Sequence, residues 1–197
     1  MKYYSRLPFV FADNGPGFPS WNRVRAPLLA VISSVLIVGP MLFLMRHFGV
    51  LLTLTNSSCA EGFYRLVDAP LRRGELVAAC LPPAAEREGL VRGYLHAGDC
   101  PGEAEPVVKL VGGLPGDEIE VAAGSVAVNG ERLPNSATLA RDSIGRPLVH
   151  VSWGKRRVAS DQVWLLGLNN RRSWDSRYFG PVPLGAVRGV VEPVLTW

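Results

Sequence analysis

The sequence predicts a mainly β protein, in which a single N-terminal transmembrane helix precedes an antiparallel, β-rich domain with a short helical insertion. Two observations lead to this prediction. Residues 26–45 form an uncharged, apolar run of twenty residues, which is long enough to cross a hydrocarbon core of ~30 Å. Beyond this run, short apolar stretches alternate with turn-forming residues. That pattern is typical of an antiparallel sheet that closes or folds over on itself.

The apolar run has two alternatives, a buried core helix and a cleaved signal peptide. The apolar region of a signal peptide typically has about 7–15 residues and ends at small residues, whereas this run ends in Met45-Arg46. We therefore predict an uncleaved transmembrane helix at 26–45.

The charges that flank this helix predict its orientation. Residues 1–25 carry a net charge of +3, and residues 46–197 carry only +1. The positive-inside rule then places the tail 1–25 in the cytoplasm and the domain 46–197 outside it, which is the periplasm in a Gram-negative cell. Because the basic excess lies in this tail, the charge does not indicate a nucleic-acid partner.

The outer domain is predicted from its short apolar runs and its turns. Asn129-Gly130 sits between Val-Ala-Val at 126–128 and Glu-Arg-Leu at 131–133 and is a strong signal for a β-hairpin. One segment, 84–95, follows Pro82-Pro83 and is predicted as a helix. The predicted strands are 62–67, 76–81, 107–111, 119–121, 125–128, 163–166 and 187–191.

The chain has three cysteines and three histidines, which do not cluster in the sequence. Their spacing fits no zinc motif, and we expect neither a metal nor a cofactor. In an oxidising compartment Cys80 and Cys100 could close a loop and leave Cys59 free. Separate buried thiols are the alternative, and we predict the disulfide.

Three polar segments contain candidate functional residues, and each has an ordinary structural alternative. The segment 55–62 could be a polar linker. The segment 109–117 could be a strand end that is followed by a Pro-Gly turn. The segment 167–180 could be a charged loop with a local Asp175–Arg177 pair, which contributes at most ~1 kcal/mol if it is exposed.

Together, and in this order, the three segments resemble the conserved boxes of the type I signal peptidases, membrane-anchored proteases that use a serine–lysine dyad. Lys109 stands at the family's lysine, and Gly-Leu-Pro-Gly-Asp at 113–117 matches the rest of that box. The resemblance covers roughly residues 26–194 and implies the folded barrel of that family. The positions of the last box are kept by Gly167, Asn169, Ser173, Asp175, Ser176, Arg177 and Gly180.

The first segment resembles the TraF-like branch of the family, which acts in conjugative transfer and processes pilin. The segment between Cys80 and Cys100 is also similar to that branch. The positions that carry the resemblance in the first segment are Asn56, Ser58, Gly62 and Tyr64. The chain departs from the family pattern at Ala60, where a proline is usual, at Leu110, where a basic residue is usual, and at Leu168, where an aspartate is usual.

The resemblance implies a role for each matching residue. Ser58 is the expected nucleophile and Lys109 its general base. The neighbouring Ser57 is a formal alternative, but the spacing to the glycine and the tyrosine of the segment favours Ser58. A solvated lysine has a pKa of about 10.4, so burial between apolar strands must lower it.

The remaining site residues are expected to support the dyad. The hydroxyl group of Ser173 would hold Lys109, and Asp175 and Arg177 would brace the loop. The oxyanion would be bound by the Ser58 backbone N–H group and the side chain of Asn56.

We therefore predict a serine endopeptidase of the inner membrane that matures the pilin of a conjugative-transfer (type IV secretion) system. Its partners are a membrane-tethered precursor and the lipid bilayer. The alternatives are a general signal peptidase and a non-catalytic, membrane-anchored β-barrel subunit of a secretion apparatus. A thiol enzyme that uses Cys59 has no histidine near the motif. The acyl-enzyme could pass to water or to an amine of the same substrate.

Overall fold

The structure is a computed structural model, and it describes residues 21–47, 50–53 and 59–197. The chain divides into two units, Met1–Leu44 and Met45–Trp197. The described part of the first unit belongs to helix α1, Trp21–His47. Most of the predicted cytoplasmic tail lies outside the described residues, and the predicted orientation across the membrane stays a prediction.

Within the part of the chain that the structure describes, α1 is the one helix long and apolar enough to cross a membrane, over Pro27–Leu44. All side chains of that stretch are exposed, as expected for a surface that faces lipid and not a protein core. Its length and composition suit a membrane anchor or a signal sequence. The predicted segment 26–45 lies inside this helix.

The second unit is built from antiparallel strands with two short α-helices, α2 at Pro83–Arg92 and α3 at Ser176–Phe179. A 3₁₀ turn at Leu184–Ala186 leads into the last strand. The described strands are β1 Val50–Thr53, β2 Gly62–Val67, β3 Leu76–Ala79, β4 Val107–Gly113, β5 Glu118–Ala122, β6 Ser125–Val128, β7 Glu131–Arg132, β8 Gly154–Arg157, β9 Gln162–Leu166, β10 Val182–Pro183 and β11 Val187–Thr196.

These strands form two antiparallel sheets. The larger sheet has the order β1-β2-β11-β3-β4-β9-β10, and the smaller has the order β7-β6-β5-β8. The predicted mainly β, antiparallel fold with few helices is therefore confirmed. All seven predicted strands are present within about two residues, apart from β11, which extends five residues further.

Strand β9 joins the cores of the two sheets. Its residues Val163 and Leu165 pack into the main core with β3, β4 and β11, whereas Trp164 and Leu166 pack against β5 and β6. Because successive side chains of a strand point to opposite faces, β9 is buried on both sides. The short apolar run at 163–166 therefore forms the strand on which the smaller sheet packs over the larger one.

The predicted hairpin turn has the expected backbone, and helix α2 differs slightly from its predicted bounds. Asn129 and Gly130 both have positive φ angles, of 52° and 87°, as the tight hairpin between β6 and β7 requires. Helix α2 begins one residue earlier than predicted and ends three residues earlier. It ends because Gly93 takes the left-handed conformation with φ 71°, which closes the helix.

Candidate active site

Lys109 lies in the middle of β4 and is almost completely buried, with 4% of its surface exposed. Val107 and Val111 lie two positions before and after it and belong to the main core, so all three side chains point to the same face of the sheet. Val77 on the neighbouring strand β3 pairs with it. An amine in such a position has lost most of its contact with water.

The Lys109 amine is held by the loop that follows β9. Its Nζ donates a hydrogen bond to Ser173 Oγ over 2.8 Å, and Ser173 is 1% exposed. The two residues are 64 positions apart in the chain, and the pairing of β4 with β9 brings them together. The predicted contact between Lys109 and Ser173 is therefore present in the structure.

Burial lowers the pKa of Lys109 from its ordinary value of 10.5 to about 8. The negative charge of Asp175 opposes this change, and the positive charge of Arg177 adds to it. At pH 7 a pKa of about 8 leaves roughly one amine in ten neutral, compared with roughly one in 3,000 for an unperturbed lysine. The site thus produces an amine that can accept a proton near neutral pH.

Asp175 and Arg177 form an ion pair in which both side chains are fully buried. The pair is bidentate: Arg177 Nε donates to Asp175 Oδ1 over 2.8 Å, and a terminal nitrogen donates to Oδ2 over 2.7 Å. Burial alone would lower the pKa of Arg177, but the hydrogen bond and the charge of Asp175 raise it. The sequence alternative of an exposed loop pair is wrong, since no water reaches either group.

The same ion pair holds the loop around Ser173. Arg177 donates to the backbone carbonyl groups of Ala137 over 2.8 Å and of Ser173 over 3.3 Å. Asp175 caps the start of α3 and also accepts the backbone N–H group of Gly167 over 2.9 Å. The position of Ser173 is therefore fixed by the hydrogen bond to its own carbonyl group and by the bonds that Asp175 makes before and after it in the loop.

Ser176 is a supporting residue that the sequence analysis placed in the motif without a role. Its Oγ accepts the backbone N–H group of Leu165 over 2.9 Å, and the side chain is fully buried. The bond links α3 directly to β9. Its place in the last box was a signal for this residue, but the partner on β9 could not be predicted from spacing.

The predicted nucleophile Ser58, its alternative Ser57 and the predicted oxyanion residue Asn56 lie outside the described residues. Their roles remain predictions. The first segment is described from Cys59 onward, and Cys59 is buried with Tyr64, Ala78 and Val191.

Tyr64 fixes the backbone just after the predicted nucleophile. Its hydroxyl group donates to the carbonyl group of Ala60 over 2.8 Å, and the side chain is 2% exposed. Burial, together with the nearby Cys59, raises the pKa of Tyr64 to about 12. The sequence analysis used this tyrosine only as a motif position, and its bond to Ala60 was not predicted.

Gly62 has a structural reason to be glycine. Its φ is 154°, and a Cβ atom at this position would clash with the backbone carbonyl of Leu195 on β11. The glycine, four positions after the predicted nucleophile in the sequence, therefore lets β2 and β11 approach each other closely.

The residues that follow Lys109 in its box form a turn. Gly116 has a φ of 86°, which suits the third position of a turn with Pro115 before it. The carboxylate of Asp117 accepts the backbone N–H group of Leu114 over 2.8 Å and the side-chain amide of Asn129 over 2.9 Å. These motif residues therefore shape the exit of β4.

Leu168, which departs from the family pattern, has a packing role here. It is half-buried and packs against the core of the smaller sheet. An apolar contact thus occupies the position where the family has an aspartate.

Cys80 and Cys100 are joined by a disulfide, with their Cα atoms 5.6 Å apart, and Cys59 is a free, buried thiol. The bond closes a loop that contains α2. Glu86 lies beside it, and these three residues form the one cluster of metal-type side chains among the described residues. Both sulfur atoms are already bonded to each other, so the cluster has too few free donor atoms to hold a metal.

Comparisons with known proteins agree with this architecture. The family model described as signal peptidase, peptidase S26, matches residues 23–197. The chain therefore belongs to the S26 signal peptidase family.

The chain is also similar to several conjugal transfer proteins. It is 42% identical to a probable conjugal transfer protein TraF of Sinorhizobium fredii over 139 residues, which cover 69% of this chain and 72% of that protein. It is 35% identical to a plasmid transfer protein TraF of Escherichia coli over 144 residues, covering 73% and 81%. A conjugal transfer protein TraF of Agrobacterium tumefaciens is 33% identical over 178 residues, covering 89% and 98%.

Similarity to a solved signal peptidase I from Enterococcus faecalis is weaker. That structure covers 64% of this chain and all of its own chain, with 21% sequence identity and a TM-score of 0.39.

Proposed function

We propose that this chain is a membrane-anchored serine endopeptidase in which Ser58 is the nucleophile and Lys109 the general base. The observation that carries the proposal is the buried Lys109 amine, held by Ser173 and shifted to a pKa of about 8. Membership of the S26 family supports the same activity. A structural lysine has no need of such a site, because burying an amine costs free energy.

In the proposed mechanism, Ser58 Oγ attacks the scissile carbonyl carbon while Lys109 Nζ accepts the hydroxyl proton. The tetrahedral oxyanion is stabilised by the Ser58 backbone N–H group and the Asn56 side-chain amide. Lys109 then gives the proton to the leaving amine, and the acyl-enzyme remains. In the hydrolytic route Lys109 next takes a proton from water, and the water attacks the ester carbonyl. Lys109 then returns that proton to the departing Ser58 Oγ, which restores the free enzyme.

Ser173, Asp175 and Arg177 act as positioning residues. The hydrogen bond from Nζ to Ser173 Oγ restricts the amine to one direction, and the buried ion pair fixes the serine backbone. Because an amine must be within hydrogen-bond reach of the hydroxyl group that it deprotonates, a small displacement of this loop would slow the reaction.

We propose that the substrate is a membrane-tethered precursor, and specifically the pilin of a conjugative-transfer system. The TraF relatives support this choice, because their names assign them to conjugal or plasmid transfer. General signal peptidase activity is the second candidate. It is supported by the 40% identity to a probable signal peptidase of Synechocystis over 76 residues, 39% of this chain.

The test is cleavage of precursors in membranes by the full chain and its variants. Ser58→Ala and Lys109→Met should each abolish cleavage as fully as the double variant, because the two residues act as a unit. Lys109→Arg should be equally inactive, since a guanidinium group stays protonated. Lys155→Met is the matched control, because this lysine is exposed on β8 and should leave activity unchanged.

Two results would overturn the assignment. Substantial turnover by Lys109→Met would show that Lys109 is not the general base. Loss of activity in Ser57→Ala but not in Ser58→Ala would identify Ser57 as the nucleophile. Assays of a conjugative pilin precursor beside a generic exported precursor separate the two substrate classes. Equal cleavage of both would favour a general signal peptidase.

The proposed orientation places residues 46–197 in the periplasm. A reporter that is active only outside the cytoplasm should be active when fused after Trp197 and silent when fused after Arg23 with the rest deleted. The opposite pattern would put the site on the wrong side of the membrane for exported precursors.

A further inference from the structure

A cavity of about 150 Å³ lies next to the Lys109–Ser173 contact. Three parts of the chain line it: Tyr94 from the disulfide-closed loop, the segment 139–148, and the loop around Ser173. The cavity therefore shares a wall residue with the candidate active site, and it is lined by no residue of β4.

Aromatic rings form one wall of the cavity. Trp174 stacks on Tyr178 with ring centroids 5.5 Å apart, and Tyr94 lies against Trp174 at 5.4 Å. The side chains of Leu139 and Leu148 add aliphatic surface. Such a lining favours an apolar group over a hydrated one.

Two hydroxyl groups that line the cavity already have partners. The Tyr94 hydroxyl group donates to Asp142 over 2.6 Å, and the Tyr178 hydroxyl group accepts the backbone N–H group of Leu139 over 3.1 Å. Asp142 also accepts Arg146 Nε. These hydrogen bonds connect the three lining parts of the chain, so the cavity keeps its shape without a ligand.

The volume indicates the size of the group that would fit. An apolar cavity of about 150 Å³ can hold a benzene-sized molecule, which corresponds to a phenylalanine ring or a leucine side chain. At the mouth, Arg172 is exposed and its guanidinium group forms no ion pair with any described residue. An arginine in this place can hold a backbone carbonyl group of a bound peptide.

We propose that this cavity binds one large apolar side chain of the precursor, leucine-sized or phenylalanine-sized, at a fixed distance from the bond that is cut. The inference rests on the proposed function, because it assigns the occupant to the substrate. Filling the cavity positions the peptide against the loop that holds Lys109, so the precursor is recognised at a second point beside the scissile bond.

The binding test uses the inactive full chain Ser58→Ala in detergent, with ¹⁵N-labelled tryptophan. The probe is N-acetyl-phenylalanine amide, and N-acetyl-glycine amide is its control. Five tryptophans give five indole signals, and Trp174→Phe identifies the signal of Trp174. The phenylalanine probe should shift the Trp174 signal in a saturable manner, and the glycine probe should not.

Matched variants connect this shift to the cavity. Ser143 lines the mouth and is exposed, so Ser143→Trp should close the cavity without disturbing the core. Val149→Trp places the same ring one residue beyond the segment 139–148, at an exposed residue that does not line the cavity. The first variant should lose the probe-dependent shift, and the second should keep it. Leu139→Phe enlarges another lining residue of the same segment and replaces Ser143→Trp if that variant fails to fold.

The cleavage test uses precursors in which each residue within six positions of the cut is changed to alanine, one at a time. With the active protein, alanine at one position should raise KM at least tenfold with little change in kcat. In Ser143→Trp the parent precursor should show the same rise, and that alanine change should add nothing further. Independent, multiplicative effects at every position would overturn the inference.

The two tests separate the inference from the proposed function. If no precursor is cleaved but the probe still shifts Trp174 in the wild type and not in Ser143→Trp, the peptidase proposal fails and a binding cavity remains. If precursors are cleaved and neither the probe nor Ser143→Trp has any effect, the peptidase proposal stands and the cavity does not bind substrate.

Discussion

Each of the two sheets carries one lysine on a strand, and the two lysines have opposite surroundings. Lys109 on β4 is buried, and burial lowers its pKa to about 8. Lys155 on β8 is exposed, and its hydrogen bond to Glu118 raises its pKa. The pKa of the lysine side chain is thus raised at the surface of the smaller sheet and lowered inside the larger one.

Two ion pairs, one in the loop after β9 and one on the smaller sheet, differ in the same way. The pair between Asp175 and Arg177 is fully buried and also bonds three backbone segments. The pair between Lys155 and Glu118 is solvated on both sides. Surface pairs contribute little to folding, whereas one half of a buried pair is costly without the other. The comparison indicates that the burial of Lys109 and of the Asp175–Arg177 pair reduces the stability of the fold and places these groups where the proposed chemistry needs them.

The largest expected effect is that of Asp175→Asn. This change keeps the shape of the side chain but leaves the charge of Arg177 buried without its counter-ion, which should reduce the free energy of unfolding by about 3–5 kcal/mol. Urea unfolding of the full chain in detergent measures it. Glu118→Gln is the matched control at the solvated pair and should give no measurable change. Equal effects of the two variants would contradict the comparison.

Loss of the disulfide should have a slightly smaller effect. The bond joins residues 20 positions apart, so in the chain-entropy model Cys80→Ser should reduce the free energy of unfolding by about 3 kcal/mol. Titration of the unfolded, unreduced wild type should find one thiol, that of Cys59. Finding three thiols would show that the disulfide does not form in the protein.

The pH dependence of cleavage should report the altered amine of Lys109. With a pKa of about 8, the neutral fraction rises about tenfold between pH 7 and pH 9 and then levels off. An unperturbed lysine would keep gaining activity to beyond pH 10. The measurement is the rate of precursor cleavage between pH 6 and pH 10.5 with the fold checked at each pH. A rate that is still rising tenfold per unit at pH 10 would exclude Lys109 as the shifted base.

Much of the fold could be predicted because its strands are apolar on at least one face. The runs that became β2, β4 and β9 were visible for this reason. Strand β8 was missed because its residues are Gly-Lys-Arg-Arg and largely exposed, so no apolar pattern marks it. Strand β10 has two residues and includes a proline, and it was missed because a pattern so short carries no period.

The burial of the Asp175–Arg177 pair could not be predicted from its own segment. Water is excluded in part because residues 135–137, which lie 40 or more positions earlier, supply carbonyl groups to Arg177. The sequence shows that Asp175 and Arg177 are two positions apart, but it does not show that residues 135–137 cover them. Burial of Lys109 was easier to predict, because valines and leucine flank it on its own strand.

The smallest expected effect has the opposite sign, because Lys109→Met should stabilise the fold while it abolishes cleavage. The folded-state pKa of about 8 is below the ordinary value of 10.5, so the unfolded state binds the proton more tightly. The destabilisation that Lys109 contributes is therefore complete below pH 8 and is relieved as the pH increases from about 8 to 10.5. Methionine fills a similar volume without a charge. At pH 7 the variant should gain roughly 1–2 kcal/mol, less than the full burial cost because Ser173 loses its donor.

The shape of this gain with pH distinguishes charge burial from better packing. The difference in free energy of unfolding between Lys109→Met and the wild type should be largest below pH 8 and should shrink toward pH 10. A packing effect would be independent of pH. Lys155→Met should show no gain at any pH, because its amine is solvated and its pKa is raised, not lowered. A Lys109→Met variant that is less stable than the wild type at pH 7 would mean that the buried amine supports the fold, and the contrast between the two lysines would then lose its functional meaning.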